Sequence, residues 1–230
     1  MGMEINMKNK LKVLLLSFLS LLILFVVGGA VVSYVEQPKY SIVQTDGSIE
    51  MRQYEPMLIA KVRVDGERQA AISSGFKLLA AYIFGDNTTQ NKMKMTSPVK
   101  QVAVQADIGV PTQVMQQKIK MTAPVTQKKV DNSWEISFVM PSKYTEATLP
   151  KPINSKVDIE SIPKKQYAVI IFSGLVSDKN LQKNKDKLLS YLAVNNIKML
   201  SSPLYAFYNP PWTMPFLRKN EVLVEVPYKN

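Results

Sequence analysis

Two absences set the chemistry open to this chain. Among its 230 residues there is no histidine and no cysteine. That removes the usual general base, the commonest metal ligand, the thiolate nucleophile and any disulfide framework. Ser-His-Asp arrangements, thiol enzymes and the common zinc sites go with them. Serine, threonine, lysine and the carboxylates remain, but nothing sets a nucleophile beside a base, so the chain reads as a binding protein rather than an enzyme. Two stretches stand out. Lys94-Met95-Thr96-Ser97-Pro98-Val99 returns as Lys120-Met121-Thr122-Ala123-Pro124-Val125, with Lys92-Met93 answered by Lys118-Ile119. Further on, Pro210-Pro211-Trp212-Thr213-Met214-Pro215-Phe216-Leu217-Arg218-Lys219-Asn220-Glu221 is an aromatic, proline-rich loop with a basic pair, stiff enough to shape the rim of a pocket.

The elements that hold these stretches follow from periodicity. Each copy of the doubled stretch reads as extended. In the second, Ile119, Met121, Ala123 and Val125 share one face and Lys120, Thr122 and Pro124 the other. Proline has no N–H to give, so each copy ends a strand, lies on an edge or bends there. Tyr40–Thr45 and Ile49–Tyr54 flank Asp46-Gly47 as a hairpin, and Met57–Val64 forms a third strand. From Glu67 to Phe84 the period becomes helical, with Ala70, Ala71, Phe76, Leu79, Ala80 and Ile83 as the apolar stripe and Gly85 as the stop. Trp134–Met140, Val157–Ile162 and Ala168–Phe172 read as strands. Asp178–Asn195 reads as a second helix capped by Ser177, with Leu181, Leu188, Leu189, Leu192 and Val194 on its apolar face. Tyr205–Tyr208 and Val222–Val226 close the chain as strands. The order predicts an α+β domain of two similar halves.

The N-terminal stretch is different in kind. No charge interrupts residues 13–35, long enough as a helix for a ~30 Å hydrocarbon core. Lys8, Lys10 and Lys12 precede it and Glu36 follows, which places residues 1–12 in the cytoplasm and everything after residue 36 outside it. The length favours an uncleaved signal-anchor. A signal peptide cleaved near Gly28-Gly29-Ala30 is the alternative, followed by a buried helix of a soluble protein. Residues 36–39 then form a linker and 40–230 the domain. Beyond Glu36 the chain holds 26 basic and 16 acidic residues, a formal +10. The lysines are scattered without a dense run or an aromatic series, which argues for solvated surface and against nucleic acid.

Several motifs together identify a family. Tyr54-Glu55-Pro56, Tyr82-Ile83-Phe84-Gly85, both Lys-Met-Thr-x-Pro-Val copies and Trp134–Pro141 resemble the SOUL haem-binding proteins, most closely their bacterial branch. So do Thr148-Leu149-Pro150-Lys151-Pro152, Phe172-Ser173-Gly174, and Pro210-Pro211-Trp212 through Arg218-Lys219-Asn220-Glu221-Val222. The resemblance runs from about Tyr40 to Tyr228. It implies a distorted, barrel-like, mainly antiparallel sheet of two pseudo-symmetric halves with two packed helices, here preceded by a transmembrane helix. It also implies that haem or another tetrapyrrole sits in an apolar cleft beside the first helix. By the same resemblance Phe76, Leu79, Ala80 and Ile83 are its walls, Lys77 lies nearby, and Arg218 or Lys219 meets a carboxylate. The plainer reading of all seven is core packing or solvated charge.

The sequence departs from the family in two ways. Haem-binding members place methionines on the first helix, where this chain has Phe76 and Ala80, and some use an axial histidine, which this chain lacks. Methionine, tyrosine, lysine or no side chain at all is left to meet the iron, so the metal ligand is undefined and binding is expected to be weak or reversible. The expected protein is thus a non-catalytic tetrapyrrole binder, single-pass in the inner or cytoplasmic membrane with its domain outside the cytoplasm. The alternative, drawn from related gyrase-inhibitor-like domains, is a module for another hydrophobic or anionic small molecule.

Overall fold

The computed structural model describes residues 35–88 and 116–228. The expected span, apart from Val35, lies outside these residues, as do the first copy of the doubled stretch, its extension through Val102 and Val104, and the expected loop at 107–112. In chain order the elements are β1 (Tyr40–Asp46), β2 (Ile49–Tyr54), β3 (Met57–Asp65), α1 (Arg68–Phe84), β4 (Asn87–Thr88), β5 (Val125–Val130) and β6 (Ser133–Val139). Then come β7 (Lys151–Pro152), β8 (Asp158–Ile162), β9 (Lys165–Phe172), α2 (Asp178–Val194), β10 (Leu204–Phe207) and β11 (Asn220–Val226). Among the described residues no helix is long and apolar enough to cross a membrane.

Nine strands among the described residues form one antiparallel sheet in the order β1-β2-β9-β11-β10-β5-β6-β3-β8. Two short connections force it to curl. Glu55-Pro56 alone joins β2 to β3, and Pro163-Lys164 alone joins β8 to β9, yet each pair lies six places apart in that order. Two residues span less than about 10 Å, so the far strands must swing round to meet the near ones.

The expected halves are present, and the sheet order defines them. One half runs β3-α1-β5-β6 and the other β9-α2-β10-β11. In each, the first strand pairs with the third and the third with the second, and the two second strands, β5 and β10, pair with each other as the seam. The doubled stretch does not report this symmetry. In the sequence both copies follow α1, and the second ends at Val125, the first residue of β5.

The outer face of the sheet carries the helices. Ala60, Val62, Ile136 and Phe138 pack with Leu79, Tyr82 and Ile83 of α1. Met51, Ala168, Ile170, Val222 and Val224 pack with Leu188 and Leu192 of α2. Ser177 caps α2, accepting from the Asn180 N–H at 3.3 Å, while Glu67 gives α1 no side-chain cap. Gly85, at φ 143°, ends α1 in a conformation that favours glycine and donates its N–H to the Ala81 carbonyl. Gly75 seats the helix: a Cβ there would lie 2.8 Å from Ile136 Cδ1 and 3.1 Å from Val62 Cγ2.

The second copy differs from its expected form. Residues 116–124 make no strand, and β5 begins only at Val125, after a cis Ala123–Pro124 peptide. The segment's hydrogen bonds leave in several directions: Ile119 N–H to the Ile83 carbonyl, Ala123 N–H to the Glu36 carbonyl, and the Thr122 hydroxyl to the Val139 carbonyl. With no ladder to hold alternation, Thr122 and Pro124 are buried beside Ile119 and Ala123, while Met121 is exposed. The expected stripe of α1 is also rotated. Its buried residues are Ala71, Gly75, Leu79, Tyr82 and Ile83, and Ala70 and Phe76 face outward.

Candidate functional site

Between Arg68 and Phe84, α1 carries one internal charge, Lys77. Helices that cover a sheet usually put charged residues on the opposite face. Here the exposed residues include Gln69, Ser73 and Ser74. Beside them Phe76 (38% exposed), half-buried Ala80 and Phe84 (59% exposed) run from the helix flank outward, spaced four residues apart over about 12 Å of helix. Phe76 meets Phe138 of β6 edge-on, with ring centres 5.4 Å apart.

Phe138 begins an apolar row that crosses the seam. It pairs with Val125, which pairs with Phe207, and direct partners in an antiparallel ladder share a face. Because α1 covers β3 and β6 and α2 covers β9 and β11, the outer side of β5 and β10 is the floor of a trough between the helices. Arg68 crosses it one step along the ladder: its guanidinium donates to Gln127 Oε1 (3.4 Å), Asp178 Oδ1 (2.7 Å) and the Val176 carbonyl (3.3 Å). Gln127 pairs with Tyr205, whose phenol is raised above its ordinary value mainly by burial. The trough therefore has a polar strap at Gln127/Tyr205 and an apolar step at Val125/Phe207.

The seven residues implied by the family resemblance separate into three groups. Phe76, Lys77 and Ala80 lie on the accessible side of α1. Leu79 and Ile83, 0% and 1% exposed, lie in the core beneath it. Arg218 and Lys219 are engaged elsewhere. The Arg218 guanidinium donates to the carbonyls of Thr213 (2.8 Å) and Pro211, tying its own loop together. Lys219 lies 3.2 Å from Glu221 Oε1 and 4.1 Å from the Tyr208 ring centre, on the inner side of the sheet. The structure therefore does not join these two cations to α1 in one site. Val125, Phe138 and Phe207, which sequence reasoning missed, become neighbours only through strand pairing.

The inner face has an ionic chemistry of its own. Arg52 (1% exposed) and Glu221 (0%) form a 2.9 Å ion pair. Arg52 also donates to Glu50 Oε2 (2.6 Å) and Tyr54 Oη (3.1 Å), while the Tyr208 hydroxyl donates to Glu221 Oε2 (2.6 Å). Burial and the neighbouring Glu221 carboxylate raise the phenols of Tyr54 and Tyr208 well above the ordinary range; burial, with Glu225, pushes Tyr167 up to about 12. Beside them lies a cavity of about 180 Å3, walled by Tyr54, Tyr167, Tyr208, Leu204 and Leu223 with the Lys165–Glu225 pair (2.7 Å) at its margin. A groove of about 510 Å3 lies near the chain's entry, lined by Glu36, Pro38, Met57, Met140 and Tyr144. Among the described residues no cluster of acidic side chains could hold a metal ion, and no buried side-chain polar atom lacks a partner.

The fold and the apolar helix surface define a class: α+β domains built from two strand-helix-strand-strand halves on a curled antiparallel sheet. The C-terminal domain of EcmrR has a similar fold, with a TM-score of 0.52 at 11% identity over 82% of this chain and 98% of that one. A hydrolase from Listeria innocua aligns more loosely, with a TM-score of 0.46 at 12% identity over 80% of this chain and 94% of that one. The sequence comparison is more specific. The SOUL heme-binding protein family matches residues 35–117 and 108–225, and the chain belongs to that family. It is 29% identical over 181 residues to Heme-binding protein 2 of Homo sapiens, covering 76% of this chain and 77% of the relative.

Proposed function

We propose that the domain binds haem or a related tetrapyrrole against the outer surface of α1 and acts as a carrier or store rather than an enzyme. One observation carries this reading: in a chain of a heme-binding family, α1 leaves Phe76, Ala80 and Phe84 as an accessible apolar strip with Lys77 beside it. The residues fit a flat apolar ligand with acidic edges. Phe76 and Phe84 offer ring faces, the Val125/Phe207 step extends the wall, and Lys77 supplies a cation for a carboxylate. Bound haem supplies a large apolar disc and two propionates. Its iron gains no donor from the usual residues on α1, which has no His, Met or Cys and whose Tyr82 is buried with its hydroxyl donating to the Pro150 carbonyl at 2.7 Å. Contact area thus dominates, and exchange is fast.

Titration of the full protein with hemin tests this. A saturable Soret shift, weakened by Phe76→Asp, is the expected result. No saturable shift together with no effect of Phe76→Asp defeats the proposal.

A second reading is favoured by the inner cavity of about 180 Å3, whose tyrosine walls suit a smaller aromatic or anionic molecule unrelated to haem. Native mass spectrometry of the purified protein separates the two by the mass it carries.

Residues 13–35 are read as a single-pass anchor, with residues 1–12 in the cytoplasm and the domain outside it. Retention in the membrane pellet after alkaline extraction is expected. Release into the supernatant sinks the anchor.

A further inference from the structure

We propose that the loop from Asn209 to Lys219 is a membrane-contact device whose apolar tip enters the interface of an anionic bilayer. Its side chains are the first reason. Trp212 is 83% exposed, Phe216 70% and Leu217 62%, with Met214 (44%) between them and Leu175 (57%) on the neighbouring loop. Exposed single hydrophobes are ordinary, but a cluster of this composition marks a contact surface. Tryptophan and phenylalanine at its tip suit the water–lipid boundary.

The loop backbone is prepared for a medium poor in water. Pro210, Pro211 and Pro215 have no N–H to leave unpaired. Arg218 satisfies the carbonyls of Thr213 and Pro211, Gly174 N–H donates to the Pro215 carbonyl (2.9 Å), and Leu217 N–H donates to the Met214 carbonyl (2.9 Å). Lys219 N–H is taken by Asn209 Oδ1 at 2.7 Å. Internal pairing of this kind lowers the cost of leaving water, because unpaired backbone groups are expensive in lipid.

Two further observations name a bilayer as the occupant. The chain beyond Glu36 carries a formal +10, which complements an anionic surface. The loop also starts close to where the chain enters the domain. The Glu36 carbonyl accepts from Ala123, β5 begins two residues later at Val125, and Val125 pairs with Phe207, after which the loop departs. This inference rests on the reading of residues 13–35 as an anchor, which would bring lipid to Glu36.

The chain has two tryptophans, Trp134 and Trp212, so each can be left as the sole reporter by Trp212→Phe or Trp134→Phe. Full-length protein is reconstituted in phosphatidylcholine–phosphatidylglycerol vesicles, and in parallel in neutral phosphatidylcholine vesicles, with brominated acyl chains, and co-flotation is measured alongside emission. The expected result is loss of Trp212 emission on bromination, no loss for Trp134, and recovery of Trp212 emission in Phe216→Asp/Leu217→Asp. Flotation without Trp212 quenching overturns the loop proposal and leaves the anchor standing. Quenching with flotation only on anionic vesicles supports the loop and overturns the anchor. Neither flotation nor quenching overturns both, and a blue shift of Trp212 without bromine quenching makes the tip a protein contact and overturns the proposal.

Discussion

α1 and α2 occupy equivalent places in the two halves yet present opposite surfaces. Each has 17 residues, lies on a first and a third strand, and buries a leucine completely, Leu79 in α1 and Leu188 in α2. On α2 the outward residues include Lys179, Lys183, Asp186 and Lys187, as solvent demands. On α1 the exposed residues include Gln69, Ser73, Ser74 and a lone Lys77 together with Phe76 and Phe84, with Ala80 half-buried between the two phenylalanines. Shared architecture accounts for the buried sides. It does not account for the exposed phenylalanines of α1, which α2 lacks; the exposed large hydrophobe of α2 is Val194, at 80%, off the apolar face where the sequence puts it. That difference is where binding should be sought.

The largest expected effect tests the shared side. Leu79→Ala and Leu188→Ala should each cost about 2–5 kcal/mol in denaturant unfolding, since each empties a closed core. A negligible cost at either position breaks the equivalence of the seats.

The different side is tested next. Phe76→Ser and Phe84→Ser should each weaken hemin binding about tenfold or more, from ~1.5 kcal/mol or more of lost apolar contact. Lys179→Ser and Lys183→Ser on α2 should leave the titration unchanged. Equal losses from both helices would erase the distinction drawn here.

A smaller contrast lies in two tyrosines, one on each helix, at different depths. Burial raises both phenols above the ordinary 10, Tyr82 in the core under α1 and Tyr191 on the half-exposed flank of α2. Below pH 10 folded and unfolded chains both keep these protons, so no slope arises. Above it the unfolded chain releases them first, and stability falls. Tyr167, pushed up to about 12, adds a loss of roughly 1.4 kcal/mol per pH unit between those values. Unfolding midpoints should therefore be insensitive to tyrosine ionisation up to pH 10 and drop beyond it. Tyr82→Phe should flatten the drop more than Tyr191→Phe.

Smallest is the strap between the helices. A double-mutant cycle on Arg68→Ala and Asp178→Ala should give under ~1 kcal/mol, because Asp178 is 79% exposed. A larger coupling would mean that the helices act as one unit.

Much of the fold was legible in the sequence because local signals agreed with the tertiary result. The hairpin signal at Gly47, the alternation of Ile136, Phe138 and Met140, and the leucine spacing of α2 all point one way. The turn itself is Gly47-Ser48, one residue later than expected, with Asp46 still paired to Ile49. The seat of α1 was not legible, because a helix apolar on two sides offers no preferred face. The packing of Leu79, Tyr82 and Ile83 and the crowding at Gly75 against Ile136 and Val62 show which side meets the sheet. Of the residues expected at a ligand, Phe76, Lys77 and Ala80 lie on the accessible side of α1. Arg218 and Lys219 are held by their own stretch of chain, Arg218 by Thr213 and Pro211 and Lys219 by Glu221 and Tyr208, and the sequence does not show which of these contacts a long basic side chain takes.

The connection Glu55-Pro56, described as a cause of curl, also sets a timetable. It sends the chain from β2 straight into the other half, so β2 leaves the ribosome long before its partner β9. Tyr54 pairs with Lys165 and Ile49 with Ile170, separations of 111 and 121 residues. At synthesis rates of ~5–20 residues per second the first hairpin waits roughly 5–25 seconds with its inner edge unpaired. During that interval β3, α1, β5, β6 and β8 can assemble as one continuous block. The hairpin can join only once β9 has emerged, so until then its β2 edge is the surface a chaperone would meet on the nascent chain.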